Sequence, residues 1–473
     1  MPARVLLLPV IFLAALLLRL PGLDSRPFHV DEANNAFILE EALQQGGFHY
    51  RPSEHHGPTL FYLAELPCKI LGIQSAAEME AWALRVVPVI CGALAAASVL
   101  LLAPYLSNFA ALTAALIVTV GAMFHYYSRT FIHESLLLLF TVWFLASLFR
   151  WRGRGTLRWA LASGLLAGLM VATKENAAVS VILIGAPFLL PLGKDSKIRM
   201  PQLLAAGILS LAVILLLIGP DNLWQAIALH TRRGLDSGHN WPWYQFLVWF
   251  GSWRGLGLAW DFWLAVPLAV VALYGHRRSA PVLILALGFT GLFLFHCLLP
   301  YKTPWLMLEP MLLLSLLAAA GLNFLLAKRP AVLKALTVAL LLALLCSETW
   351  QRSFHNQVRV DNPLAYSPTD PQTADLVRQV DAIANALPDK QQAVVQVIGY
   401  DYWPLPWLLR KYPNKGFWQE PPEQWPGEIL LCGPETIGWI PNAREWQFTP
   451  YYLRPGVLIF VGSKLNRTGR EQR

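Results

Sequence analysis

"VLLLPVIFLAALLLRLPGLDSRPFHVDEANNAF", Val5 to Phe37, sets a long apolar run just ahead of two adjacent acids, Asp31 and Glu32. The run from Val5 to Leu20 stands behind Arg4 and ends in "RLPGLDS" with no small-x-small cleavage pattern, so it reads as an uncleaved membrane anchor and not as a signal peptide. The acids then stand where the chain leaves the lipid.

The rest of the chain extends that reading. Of 473 residues, 56% are hydrophobic and only 14% charged, too little polar surface to cover a soluble protein of this size. The net charge of +8 does not point to nucleic acid, because no stretch interleaves dense Lys and Arg with aromatics. Apolar windows of about 20 residues, enough to cross roughly 30 Å of hydrocarbon, centre near residues 12, 93, 115, 141, 166, 184, 210, 266, 290, 315 and 338. They predict a polytopic α-helical membrane protein with about eleven transmembrane helices over residues 1–346. The five cysteines have no CxxC spacing, so neither a disulfide framework nor a cysteine metal site is expected.

Loop cations give the orientation. With the N-terminus in the cytoplasm, "RWRGRGTLR" (Arg150 to Arg158), "GKDSKIR" (Gly193 to Arg199), "GHRR" (Gly275 to Arg278) and "AKRPAVLK" (Ala327 to Lys334) all lie inside. The opposite face carries a long first loop over residues 21–80, "HYYSRTFIHES", "ATKENA", the loop from Asp221 to Trp253, "LPYKTPW" and the tail. Arg129, Lys174 and Lys302 on that face need a reason, since the orientation bias disfavours them there and ionisable groups at helix mouths are costly without a partner. A shared anion supplies one; snorkelling to lipid, or pairing with Glu134, Glu175 and Glu309, supplies another.

In "YYSRTFIHES" the four-residue spacing places Arg129 and His133 on one helical face with Glu134 one position round, the inventory of a phosphate and hydroxyl reader. Pro300 and Pro304 bracket Lys302 in a stiff turn that fixes the depth of its ammonium. Asp31 is placed to N-cap the helix "DEANNAFILEEAL" with Glu32 in its first turn, and a carboxylate so held can also accept a proton from a hydroxyl. His29, Asp31, His55 and His56 offer ligands for a divalent metal, at a spacing that matches no specific metal motif. Trp241, Trp243, Trp249 and Trp253 form an interfacial belt that could also stack on sugar.

Together these motifs resemble a known family. The acidic pair, the "HGP" of the first loop, "YSRxxxxE", "ATKE", "HTRRGLDSGHNWPWYQF", a "K-x-PW" turn and "WPLPWxLR" resemble, in that order, the flippase-activity-associated proteins of archaea and bacteria. These belong with the dolichyl-phosphate-mannose mannosyltransferase-like membrane glycosyltransferases of GT-C type. The resemblance implies an inverting hexosyl- or pentosyltransferase that moves a sugar from a polyprenyl-phosphate donor to a glycolipid, polysaccharide or protein acceptor at the outer face of the cytoplasmic membrane. It implies Asp31 as general base, Glu32 orienting it or binding hydroxyls, and Arg129, Lys174 and Lys302 on the leaving phosphate. His56, His133, Glu134, Glu175, Arg232 and Arg233 complete the expected donor site.

Residues 347–473 read as a small extracytoplasmic α/β domain: a polar helix at "TADLVRQVDAIANAL", then strand-like "AVVQVIG", "GEILLCG" and "GVLIFVGSK". "GYDYWPLPWLLR" is either a binding edge facing the first loop or a packed turn before a short helix. With no Gly-rich nucleotide loop, a nucleotide-sugar donor is not expected, and no cofactor beyond a divalent metal is indicated. A different class of function, a non-catalytic partner of a lipid flippase or a transporter that binds lipid-linked oligosaccharide, would use the same outer-face cations but has no chemical need of the acidic pair.

Overall fold

The computed structural model describes residues 3–192, 196–235, 239–251, 263–425 and 427–464. Trp253 and positions 193–195 of the second basic loop lie outside them. Each of the eleven predicted centres falls on an apolar helix. Six of these are long and apolar enough to cross a membrane: Ala81–Leu106, Glu134–Arg154, Met200–Leu217, Ala280–Leu298, Pro304–Leu326 and Ala331–His355. The other five, Leu6–Arg19, Asn108–Val120, Leu157–Thr173, Ala177–Leu189 and Ala265–Gly275, are shorter. Eleven full spans are therefore not reached by length among the described residues; the 13 residues of Asn108–Val120 rise only about 20 Å.

Glu134–Arg154 shows how local sequence sets such a helix. An acid stands in its first turn, Arg152 and Arg154 in its last, and Gly155 ends it in the left-handed region at φ 63°. Its neighbour Leu157–Thr173 presents Gly164 and Gly168, one turn apart, to Met200–Leu217. A Cβ on Gly164 would sit 2.2 Å from the Ala206 carbonyl oxygen, so the two backbones meet only because both positions lack one. Met200–Leu217 otherwise turns Leu204, Ile208 and Leu216 outward, and Ala331–Trp350 does the same with Val332, Leu336 and Leu340, as suits faces solvated by lipid.

The basic loops gather at one end of the bundle. Glu134–Arg154 and Leu157–Thr173 begin or end beside Glu134 and Lys174 and meet at the first basic loop, and Lys197 of the second loop donates its N–H to the Arg152 carbonyl at 2.9 Å. Ala280–Leu298 likewise runs from the third basic loop toward Lys302. The first-loop helices Val30–Gln44 and Thr59–Leu71 lie at the other end.

Ala331–Trp350 continues through a π turn to His355, past residue 346. A strap over 356–372 then crosses the first loop, where Thr369 Oγ1 donates to the Phe28 carbonyl at 2.7 Å. Beyond it the helix Thr373–Asn385 buries Leu376, Val380 and Ala384 on a five-stranded sheet. The strands are β1 (Val395–Ile398), β2 (Lys415–Trp418), β3 (Ile429–Cys432), β4 (Trp446–Arg454) and β5 (Val457–Lys464), in the order β2-β1-β3-β5-β4. β1 is parallel to both neighbours, and β5 is antiparallel to β3 and β4. The short helix Leu405–Leu408 packs this unit onto the first loop: Trp407 stacks on Phe28 at 4.1 Å, and Arg410 reaches Glu80 at 3.7 Å. "WPLPWLLR" is thus a packed turn.

Candidate active site

The first loop enters its helix through a cap supplied by His29, two residues before the expected Asp31. Asp31 donates its backbone N–H to His29 Nδ1 at 3.1 Å, and the side chain of Glu32 accepts the His29 N–H at 3.0 Å, a reciprocal capping box. Because Nδ1 accepts, the ring proton sits on Nε2 and is donated to the Tyr366 carbonyl at 3.0 Å. The cap therefore frees the Asp31 carboxylate, which is 48% exposed, and ties its backbone to the strap.

Glu32 is a different kind of acid. It is completely buried and paired bidentately with Arg85 at 2.7 and 2.6 Å, and it also accepts the Phe131 N–H at 2.8 Å. Burial alone would raise its pKa, but the Arg85 guanidinium outweighs this and holds it down to about 2. Every lone-pair direction of Glu32 points at protein, which corrects the expectation that it binds hydroxyls or orients Asp31.

The Phe131 bond also explains a second correction. Arg129 and His133 do not share a helical face, because the helix stops at Tyr127 and resumes only at Glu134. The intervening turn is held from the first loop: Glu32 takes the Phe131 N–H, Asn35 donates to the Phe131 carbonyl at 2.9 Å, and Arg26 donates to the Arg129 carbonyl at 2.8 Å. The Arg129 guanidinium then turns back to cap the first helix, donating to the carbonyls of Arg19, Pro21 and Gly22 at 2.7, 2.5 and 2.9 Å. Lys302 does the same for Ala280–Leu298, donating to the carbonyls of Cys297, at 3.0 Å, and Leu299. These two cations satisfy helix ends that lipid would leave bare.

Lys174 is placed otherwise. With Asp31, His56, His133, Glu134, Tyr301 and Trp305 it lines a cavity of about 170 Å³. Its ammonium bonds Glu134 at 2.5 Å. Burial acts to lower the Lys174 pKa, but the Glu134 carboxylate more than compensates, so it is raised and the side chain stays charged. Burial pushes His133 well below 6.5, aided by His56, leaving a neutral ring beside the Gly57 carbonyl at 3.2 Å. Burial raises the Tyr301 hydroxyl, against the pull of Lys174, so it remains a proton donor. Glu175 does not line the cavity; it stands behind His56, accepting from Tyr50 at 2.6 Å and bonding His56 Nδ1 at 2.8 Å.

Arg232 lies exposed on the helix Pro220–Leu235, and the side chain of Arg233 falls outside the described residues; neither lines this cavity among the described residues. Among the described residues no three His, Cys, Asp or Glu side chains are grouped to hold a metal. His29 Nδ1 accepts the Asp31 N–H, His55 Nε2 the Arg51 N–H at 3.2 Å, and His56 Nδ1 bonds Glu175, so each of the three histidines has a ring nitrogen engaged by protein, although Asp31, His55 and His56 line one cavity.

Three residues escaped the sequence reading. Arg85, a lone charge within the apolar helix Ala81–Ser98, carried a signal, since a solitary arginine in a span needs a partner. Trp305 stood in a quoted motif without a role. Tyr366 carried no signal: it reaches the site only through the strap, with its ring 5.8 Å from Trp305.

Residues 55–218 match the family model of dolichyl-phosphate-mannose-protein mannosyltransferases. No curated protein sequence matches the chain. Among solved structures, ArnT from Cupriavidus metallidurans bound to undecaprenyl phosphate superposes with a TM-score of 0.65 at 14% identity, covering 96% of this chain and 97% of that one. The archaeal oligosaccharyltransferase AglB from Archaeoglobus fulgidus, in complex with an inhibitory peptide and a dolichol-phosphate, gives 0.57 at 14% identity over 98% and 74%. The arabinofuranosyltransferase AftD from Mycobacteria gives 0.52 at 14% identity over 98% and 40%. All three are GT-C glycosyltransferases, and the chain shares their helical fold with a small C-terminal sheet.

Proposed function

We propose that the chain is an inverting membrane glycosyltransferase that takes a hexosyl or pentosyl unit from a polyprenyl-phosphate carrier at the outer face of the cytoplasmic membrane. The observation that carries this reading is the cavity in which the half-exposed Asp31 carboxylate and the Lys174 ammonium share one chamber. The fold shared with enzymes whose structures hold undecaprenyl phosphate or dolichol-phosphate supports the donor class. The clustering of basic loops at the far end supports the sidedness.

The reaction assigns each group a task. The acceptor oxygen bonds to the anomeric carbon from the face opposite the phosphate, and its proton passes to Asp31. The bond from that carbon to the phosphate oxygen breaks, and its electron pair leaves on polyprenyl phosphate. Lys174 has donors to spare beyond its bond to Glu134 and stabilises that charge, with the Tyr301 hydroxyl as a neutral donor beside it. Arg129 and Lys302 act at one remove, by holding the loops that carry the cavity walls. Glycan or protein acceptors are compatible with this scheme; a lipid flippase partner and a divalent metal are not needed by it.

The test is incubation of purified protein in proteoliposomes with a panel of radiolabelled polyprenyl-phosphate sugars and membrane-derived glycan acceptors. Release of polyprenyl phosphate with label in the acceptor supports the reading. Tight donor binding without turnover across the panel would instead favour the flippase-associated binder.

A further inference from the structure

A second and larger cavity, about 390 Å³, lies on the other side of the strap, within the size range of small-ligand sites. Trp241, Trp249 and Tyr366 form its aromatic wall and Asp361 contributes a carboxylate. Nothing in the donor chemistry uses it. It adjoins the site: Tyr366 and Pro368 stand between it and the small cavity that reaches Asp31 and Trp305.

The rings are arranged in a train. Trp305 meets Tyr366 at 85°, Tyr366 meets Trp249 at 70° and Trp249 meets Trp241 at 66°, with centroids 5.6 to 5.8 Å apart. Successive near-perpendicular rings leave flat faces open along the wall in place of stacking on one another. Tyr366 is locked at the centre, its hydroxyl bonded to His239 Nδ1 at 2.7 Å and accepting from Trp241 Nε1 at 3.3 Å. Asp361 is paired bidentately with Arg359 at 2.9 and 2.6 Å yet 42% exposed, so each of its oxygens keeps a lone pair for a ligand hydroxyl, and the Trp241 indole is 40% exposed beside it.

We infer that this cavity is a saccharide-binding acceptor subsite, which seats a pyranose ring against Trp241 and Trp249, accepts its hydroxyls on Asp361, and directs the next hydroxyl past Tyr366 to Asp31. Pyranose rings have an apolar C–H face and a polar hydroxyl edge, the combination that an aromatic wall with a carboxylate satisfies. A lipid tail would take the exposed Asp361–Arg359 ion pair out of water with no hydrogen bond in return. A peptide added as a strand would need an open sheet edge, and none of the lining residues belongs to a strand. The word "acceptor" rests on the transferase reading; the binding of sugar does not.

The experiment separates the two. Purified protein without donor is titrated with methyl α- and β-hexopyranosides, with binding followed by saturation-transfer NMR and by calorimetry. At least one glycoside binds saturably, and Trp241→Ala and Asp361→Asn each weaken it about tenfold while thermal unfolding stays unchanged. Both substituted side chains are substantially exposed, so folding is preserved; Trp249→Phe provides a milder variant at the partly buried ring. No saturable binding by any glycoside, or binding that none of the three variants alters, overturns the inference. In a parallel assay, Trp241→Ala retains wild-type binding of polyprenyl phosphate. Loss of donor turnover in the wild type would refute the transferase reading and leave the sugar site standing.

Discussion

Replacing Glu32 by Gln tests most directly whether the two acids of the first loop do different things. Glu32 receives four hydrogen bonds in a buried site, two from Arg85 and one each from the N–H groups of His29 and Phe131. Gln offers one acceptor oxygen and an amide that can only donate, so Arg85 loses its counter-charge and at least one donor faces another. Removing one partner of a buried ion pair costs about 3–5 kcal/mol. A displacement of the carboxyl from 4.5 to about 2 gives the same order, on the order of 3 kcal/mol. The sign follows from the depressed value: the contribution is fully present above about pH 4.5 and is lost as pH falls toward 2. Glu32→Gln should therefore unfold at a clearly lower temperature in detergent and lose the acid-sensitive part of its stability profile. Glu32→Leu combined with Arg85→Met removes both charges and should recover part of the loss. Wild-type thermal stability in Glu32→Gln with transfer abolished would refute the structural role and return Glu32 to the chemistry.

Asp31→Asn leaves the His29 cap intact, because the cap uses the Asp31 backbone, so unfolding should be unchanged while transfer falls roughly 100-fold to 10,000-fold; full transfer would sink the general-base role. Lys174→Ala should weaken binding of polyprenyl phosphate, measured by calorimetry, whereas Arg129→Ala should leave that affinity and instead lower thermal stability by about 3 kcal/mol or more, since three carbonyls lose a charged donor. The reverse pattern would make Arg129 a phosphate ligand. His133, held neutral below its ordinary 6.5, contributes stability that is complete above that pH and declines as pH falls beneath it, so His133→Phe should flatten the unfolding profile between pH 5 and about 7. An unchanged slope would mean that the ring is solvated.

Much of this protein was legible without coordinates because its solvent writes the pattern. Runs of apolar residues and cations confined to alternate loops follow from hydrocarbon thickness and insertion bias, and all eleven run centres fall on apolar helices. The strands β1, β3 and β5 were readable as short aliphatic runs, while β2 (Lys415–Trp418) and β4 (Trp446–Arg454), with few aliphatic residues, were not. Period and composition carry such information because each residue responds to its own surroundings.

The division of labour among the charges was decided only by the tertiary structure. From the sequence, Arg129, Lys174 and Lys302 were all expected on the leaving phosphate, and Asp31 and Glu32 were both expected to act on substrate, one as base and the other as its helper. Folding sends Arg129 and Lys302 onto carbonyls at helix ends and Lys174 into the cavity. It buries Glu32 against Arg85, 53 residues away, and leaves Asp31 open. Residue type sets what a group can donate or accept; whether it meets a backbone, a counter-charge or a cavity depends on segments far apart in the chain. For buried charge that choice of partner outweighs local sequence, because an unpaired charge out of water is the costliest state the chain could adopt.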